Sequence, residues 1–223
     1  MDLLLYLLIL AIPLVAQINI SSTYGKYKQI RNSKGITGQE VARQILDMHG
    51  LEKVYVVETA GNLSDHYDSS RKVVRLSHDV FHGETVAAIS IAAHECGHAI
   101  QDKEGYFMMR VRSFIFPLVN IGTKLSYFIL LLGLLFQAMD MIMIGIALVS
   151  LGLIFQLVTL PVEFDASKRA LKIIEDNNFV SADEHLGCSK MLKSAAMTYV
   201  AGVLASALEI LRLILIFSGR DRD

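Results

Sequence analysis

The stretch Glu84-Thr-Val-Ala-Ala-Ile-Ser-Ile-Ala-Ala-His94-Glu95-Cys96-Gly97-His98 is the most informative in the chain. From Glu84 to His94 it is rich in alanine and free of Gly and Pro, which predicts a helix. Its apolar residues lie all round the axis, so that helix is expected to be buried. On a helix, His94 and His98 are one turn apart and differ by about 40° around the axis. Both imidazoles then point at one spot, as two ligands of a tetrahedral zinc site must. Glu95 lies about 100° further round, too far to be a comfortable third ligand but close enough to reach a water held there.

This is the H-E-x-x-H spacing in which a glutamate serves as general base beside a zinc ion, the arrangement of a metalloprotease. The competing reading is two satisfied core histidines beside a surface glutamate. A neutral imidazole pair in a buried apolar helix needs partners, however, and a metal supplies them. Cys96 sits about 200° from His94 and faces away from that spot, as a small core residue rather than a ligand. His78 and His82 also stand four apart, followed only by Asp79, and form a secondary candidate metal pair. His49, His66 and His185 are scattered and read as surface or satisfied core residues.

Composition bounds the class. Of 223 residues, 53% are hydrophobic, and the net charge of −1 gives no argument for a nucleic-acid partner. The two cysteines, Cys96 and Cys188, make no disulfide framework and suit a reducing compartment. The apolar residues are concentrated in four blocks, which predicts a mainly α membrane protein with three to four transmembrane helices and a lipid bilayer as partner.

The first block, Leu3 to Ile20, is short for a span but sufficient if its flanks help. A cleaved signal peptide, with Ala16 as a weak cleavage cue, competes with an uncleaved anchor. The basic residues Lys26, Lys28, Arg31 and Lys34 follow the block rather than precede it, which favours the anchor with its N-terminus outside. The second and third blocks, Phe114 to Phe136 and Met141 to Leu160, are joined only by Gln137-Ala-Met-Asp140 and predict an antiparallel transmembrane hairpin. The fourth, Ala195 to Phe217, is interrupted by Glu209 and Arg212, which at a spacing of three are able to pair. It is either a tilted fourth span or a helix lying at the interface. Lys103, Arg110 and Arg112 precede the hairpin, and Lys168, Arg169 and Lys172 follow it. Positive-inside then puts residues 21–113 and 162–194 in the cytoplasm, and the plasma membrane is the expected location. Arg220 and Arg222 run against this if the fourth block spans fully.

The chain thus divides into an N-terminal anchor (1–20), a cytoplasmic α+β part carrying the motif helix (21–113), and the hairpin (114–161). A cytoplasmic helix (162–194) and a C-terminal transmembrane or interfacial helix (195–223) complete it. Within the second part, Thr37 to His49 reads as an amphipathic helix. Thr37 and Glu40 form its capping box, Val41, Ile45 and Met48 share a face, and Gly50 ends it. Val54 to Glu58 and Lys72 to Leu76 read as strands, with His66-Tyr-Asp68 a short strand before an Asp68-Ser-Ser70 turn.

A catalytic zinc takes three protein ligands. The third should come from another helix on the same side of the membrane as His94 and His98. The hairpin returns the chain there at Pro161-Val-Glu163-Phe-Asp165-Ala-Ser167, where Pro161 suits the first turn of a new or kinked helix. Glu163 is then placed beside the bundle mouth, where a desolvated carboxylate needs a cation.

The combination of His94-Glu95-x-x-His98, two spans and Glu163-Phe-x-Ala166 resembles the membrane-bound gluzincins, the HtpX-type and prenyl-protein proteases. Asp65-His-Tyr-Asp68, Val73-Val-Arg-Leu-Ser77, Ala93-His-Glu and Thr198-Tyr-Val200 are similar, more closely, to the YugP-type neutral zinc metallopeptidases. The likeness covers nearly the whole chain. It implies a gluzincin-like unit with one zinc ion per chain and Glu163 as the third ligand. It also implies a peptide or membrane-protein substrate cut near the cytoplasmic surface. HtpX-type enzymes carry an aspartate four residues after the ligand glutamate, where this chain has Ser167. Asp165 or Ser167 is left to orient a ligand histidine instead.

The expected chemistry is endopeptidase hydrolysis by an activated water, with Glu95 taking its proton and later delivering it to the leaving amine. Tyr199 is the candidate donor to the oxyanion, with an interfacial aromatic anchor as the alternative. An extended substrate is expected to add to a free strand edge near Val73–Leu76. The rival reading is a catalytically silent zinc-binding membrane sensor or assembly factor.

Overall fold

Thr85 and Gly105 bracket the motif helix, and each does so by a local rule. In the computed structural model, which describes residues 2–218, helix α4 runs Val86–Glu104. The Thr85 hydroxyl caps it by accepting from Ala88 N at 3.2 Å, and Gly105 ends it in the left-handed conformation at φ 64°. Glu84 therefore stands just outside the helix. Every residue of α4 from Val86 to Ala93 is buried, as its all-round apolar character requires.

Helix α2 (Gly38–Met48) packs on α4, and its capping box is complete. The Thr37 hydroxyl accepts from Glu40 N, while the Glu40 carboxylate accepts from Thr37 N at 2.8 Å. Its buried face is Gly38, Val41, Ala42, Ile45 and Leu46. Met48, expected on that face, is instead 50% exposed. The seat of the helix is turned toward Ala42 and Leu46, so Met48 falls at the margin of the stripe in the last turn.

Strands β1 (Tyr55–Thr59), β2 (His66–Asp68) and β3 (Val73–Ser77) form one sheet in the order β1-β3-β2. β1 pairs parallel to β3, with Glu58 opposite Leu76 and Thr59 opposite Ser77, and β2 pairs antiparallel to it. β3 is therefore central, with Val73, Val74, Leu76 and Ser77 buried. The expectation of a free edge near Val73–Leu76 is corrected: both edges of that strand are already hydrogen-bonded, and the sheet's outer edges belong to β1 and β2. Asp68 Oδ1 accepts from Ser70 N and Arg71 N to make the turn between β2 and β3. A one-turn helix, α3 (His78–Phe81), links β3 to α4.

The apolar blocks lie in helices longer than themselves. α1 covers Asp2–Tyr27, α5 Phe107–Leu135, α6 Met139–Asp176 and α7 Ala182–Ser218. All four are long and apolar enough to cross a membrane. The uncertain fourth block thus belongs to a continuous helix, and its Arg212 and Glu209 pair at 3.3 Å. Pro161 begins no new helix; α6 runs through it. A proline costs its helix one hydrogen bond, and a 38-residue helix retains the others on both sides. Arg220 and Arg222 lie outside the described residues.

By compactness the chain forms two units, one comprising Ile18–Met109 and Val162–Ala196, the other the remaining described residues. The first holds a single core, built from α2, α4 and β3 together with Ile20 and Tyr27, Ala170 and Ile174, and Cys188 and Leu192. The second is helical. It turns Leu3, Leu7, Phe114, Leu118 and Leu131 outward, as helices in an apolar solvent do, and its small internal cluster is Leu130, Ile142, Ile146 and Phe217.

Candidate metal centre

Gly97 explains how two helices bring His94, His98 and Glu163 together. A Cβ there would stand 2.8 Å from Ala166 O and 3.3 Å from Ala166 Cα, so only glycine lets the α4 and α6 backbones approach this closely. Ala166 is fully buried against it. One turn earlier on α6, the Glu163 carboxylate is only 2% exposed and faces the histidines. Its Oε2 lies 3.3 Å from His94 Nε2 and 3.5 Å from His98 Nε2. The three donor atoms all lie within 4.8 Å of one another.

The donor set fits a zinc ion. Ligand atoms about 2.0–2.1 Å from a common tetrahedral centre stand about 3.3–3.4 Å apart, close to the two histidine–glutamate separations. A carboxylate this deeply buried also needs a cation beside it, and a divalent ion held between it and the two imidazoles would supply one.

The other nitrogen of each ring is occupied, which aims Nε2 inward. His94 Nδ1 lies 3.2 Å from Ser167 Oγ, and His98 Nδ1 lies 3.0 Å from Gln101 Oε1. The Gln101 amide donates to Val162 O and to Asp165 Oδ2, both at 2.8 Å, so its oxygen is the end that faces His98. His98 must then donate through Nδ1, which turns Nε2 toward Glu163, where a metal would take the place of any Nε2 proton. Arg169 Nε in turn donates to Asp165 at 2.6 Å, and Glu104 holds the guanidinium at 2.7 Å. Both alternatives for an orienting residue are thus in use. Ser167 contacts His94 directly, and Asp165 reaches His98 through Gln101.

Gln101 was missed in reading the sequence. Its signal was position: an amide three residues beyond His98 on the same helix, one turn on and so within reach of the imidazole.

Burial alone pushes the His98 imidazole toward the neutral form. The hydrogen bond to Glu163, with the charges of Glu95 and Glu163, more than reverses this, and its pKa stands above the usual histidine value. Glu95 is 8% exposed and follows His94 on α4. Cys96 is fully buried with its thiol 3.6 Å from Ala42 O on α2, and burial drives its pKa up. It is a packing residue, inert as ligand or nucleophile. Tyr199 lies on α7 in the helical unit and is 38% exposed.

Residues 2–218 match the family described as "Putative neutral zinc metallopeptidase". The chain is 46% identical, over 209 residues and 93% of each sequence, to the "Putative membrane protease YugP" of Bacillus subtilis (strain 168). No solved structure matches. The chain belongs to this zinc metallopeptidase family and is a membrane protein.

Proposed function

From that membership we propose that this chain is a membrane-embedded zinc-dependent endopeptidase of the gluzincin type. Its substrates are peptide bonds of membrane or membrane-proximal proteins. The observation that carries the reading is the convergence of His94 Nε2 and His98 Nε2 on one buried Glu163 oxygen. In this reading these three residues hold one zinc ion, which when bound lowers the pKa of a water and polarises the scissile carbonyl.

The chain's own groups do the rest. Glu95 accepts the water proton and passes it to the leaving amine, which makes departure of a neutral amine feasible. Ser167 and Gln101 keep each imidazole presenting Nε2, so no ligand must reorganise during turnover. Arg169 neutralises Asp165, which lets that carboxylate orient Gln101 without adding net charge. Tyr199 is assigned the donor to the developing oxyanion. The excess of Lys and Arg in residues 21–113 and 162–194 supports a cytoplasmic active site in the plasma membrane.

The test compares purified wild type with Glu95→Gln on a peptide library and in whole-cell proteomes. The expected variant keeps its zinc and loses cleavage by about two to four orders of magnitude. Undiminished proteolysis would refute the assignment of the base.

A further inference from the structure

The secondary histidine pair of the sequence is completed by a carboxylate from the sheet. β1 runs parallel to β3 with Glu58 opposite Leu76, and β3 ends at Ser77, one residue before His78. That register sets the Glu58 side chain beside the turn of α3. His82 N donates to His78 O at 3.1 Å, so the two imidazoles rise from one turn of chain with ring centroids 4.8 Å apart. Glu58 Oε1 lies 2.7 Å from His78 Nδ1, and Glu58 Oε2 lies 3.1 Å from His82 Nε2. All three donor atoms lie within 4.8 Å of one another.

We propose that Glu58, His78 and His82 bind a second divalent transition-metal ion at the surface of the α+β unit. The ligand atoms of a tetrahedral zinc stand about 3.3 Å apart, so the 2.7 Å and 3.1 Å separations need to open by about 0.6 and 0.2 Å. The side chains are 43%, 72% and 54% exposed for Glu58, His78 and His82, so they are largely free to make that movement, although the His82 ring rests edge-on against Phe81 at 4.9 Å. Two imidazoles and a carboxylate select zinc, nickel or copper over magnesium or calcium, which prefer oxygen donors. The neighbouring carboxylate, Asp79, is engaged by Lys28, leaving Glu58 as the acidic ligand. Water completes the shell, and with this exposure the ion exchanges freely and binds more weakly than at the buried centre. A bound ion ties β1 to α3, the turn that leads through Thr85 into the motif helix. The site is structural.

The experiment uses the full chain in detergent, stripped of metal and titrated with Zn²⁺ alone. Binding is followed by a competing chelator dye and the thermal midpoint. Wild type is expected to take about two equivalents and to gain a zinc-dependent rise in midpoint by mass action. Glu58→Gln, and separately His78→Ala with His82→Ala, are expected to lose the weaker equivalent and the associated rise while keeping the tighter one. These residues are exposed, and far-UV circular dichroism of the zinc-free variants checks that each is folded. Equal stoichiometry in wild type and folded variants would overturn the proposal. So would Mg²⁺ competing as well as Ni²⁺ for the weaker equivalent.

Discussion

His94, His98 and Glu163 on one side, and His78, His82 and Glu58 on the other, are the same set of two histidines and a glutamate at the same histidine spacing in two surroundings. In the first, the carboxylate arrives on α6, 69 residues after His94 in the chain, and it is almost wholly buried. In the second it arrives through strand register and stays in water. The outer nitrogen of each buried imidazole has a fixed partner, Ser167 or Gln101. The exposed imidazoles instead use Nδ1 and Nε2 on the glutamate itself. Ligand identity thus does not distinguish a candidate catalytic centre from a surface cluster. Burial and the orienting partners do, because they fix the rings and strengthen the field at the spot they face.

The comparison breaks most visibly when a ligand is removed. Glu163→Gln is expected to lose the tighter zinc equivalent and all measurable peptidase activity, read by metal analysis and peptide cleavage of the detergent-purified protein. Retained zinc at the wild-type level would mean that the exposed cluster, not the buried one, holds the tight ion. Gln101→Ala keeps every ligand but removes the group that fixes the His98 ring. Zinc affinity at the buried centre should fall about 10–100-fold, measured by chelator competition. A parallel change in wild-type affinity for the weaker equivalent is not expected, since Gln101 touches nothing in the exposed cluster.

Gly97→Ala tests the packing that delivers Glu163. The added methyl meets Ala166 O, so the helices must separate, at a cost of about 1–3 kcal/mol in stability. Zinc affinity should drop with it, while Cys96→Ala, on the opposite face of α4, changes stability without moving zinc affinity. The smallest effect is expected from Glu58→Gln in zinc-free protein. The exposed ion pair contributes little against water, and the thermal midpoint of the metal-free chain should stay unchanged.

Much of this centre could be read from local signals. The alanine-rich run, the histidine spacing and the Thr37/Glu40 capping box each specify structure within a turn or two of chain, and each is found where its residues stand. Glu163 was reachable because the hairpin link is short, which constrains where α6 returns. What escaped depended on long-range pairing. The sequence of β3 does not say that β1 joins one edge and β2 the other, so an interior strand was read as an edge. Met48 matched the helical period but not the seat of α2 against α4, which packing sets. Glu58 gave no sign of meeting His78 until the parallel register was known.

The most direct measurement is zinc K-edge X-ray absorption on the His78→Ala, His82→Ala protein loaded with about one equivalent of zinc. A shell of nitrogen and oxygen at about 2.0–2.1 Å with the multiple scattering of two imidazoles, lost on adding Glu163→Gln, is the predicted result. A sulfur scatterer at about 2.3 Å, or a spectrum indifferent to Glu163, would contradict a centre built from His94, His98 and Glu163.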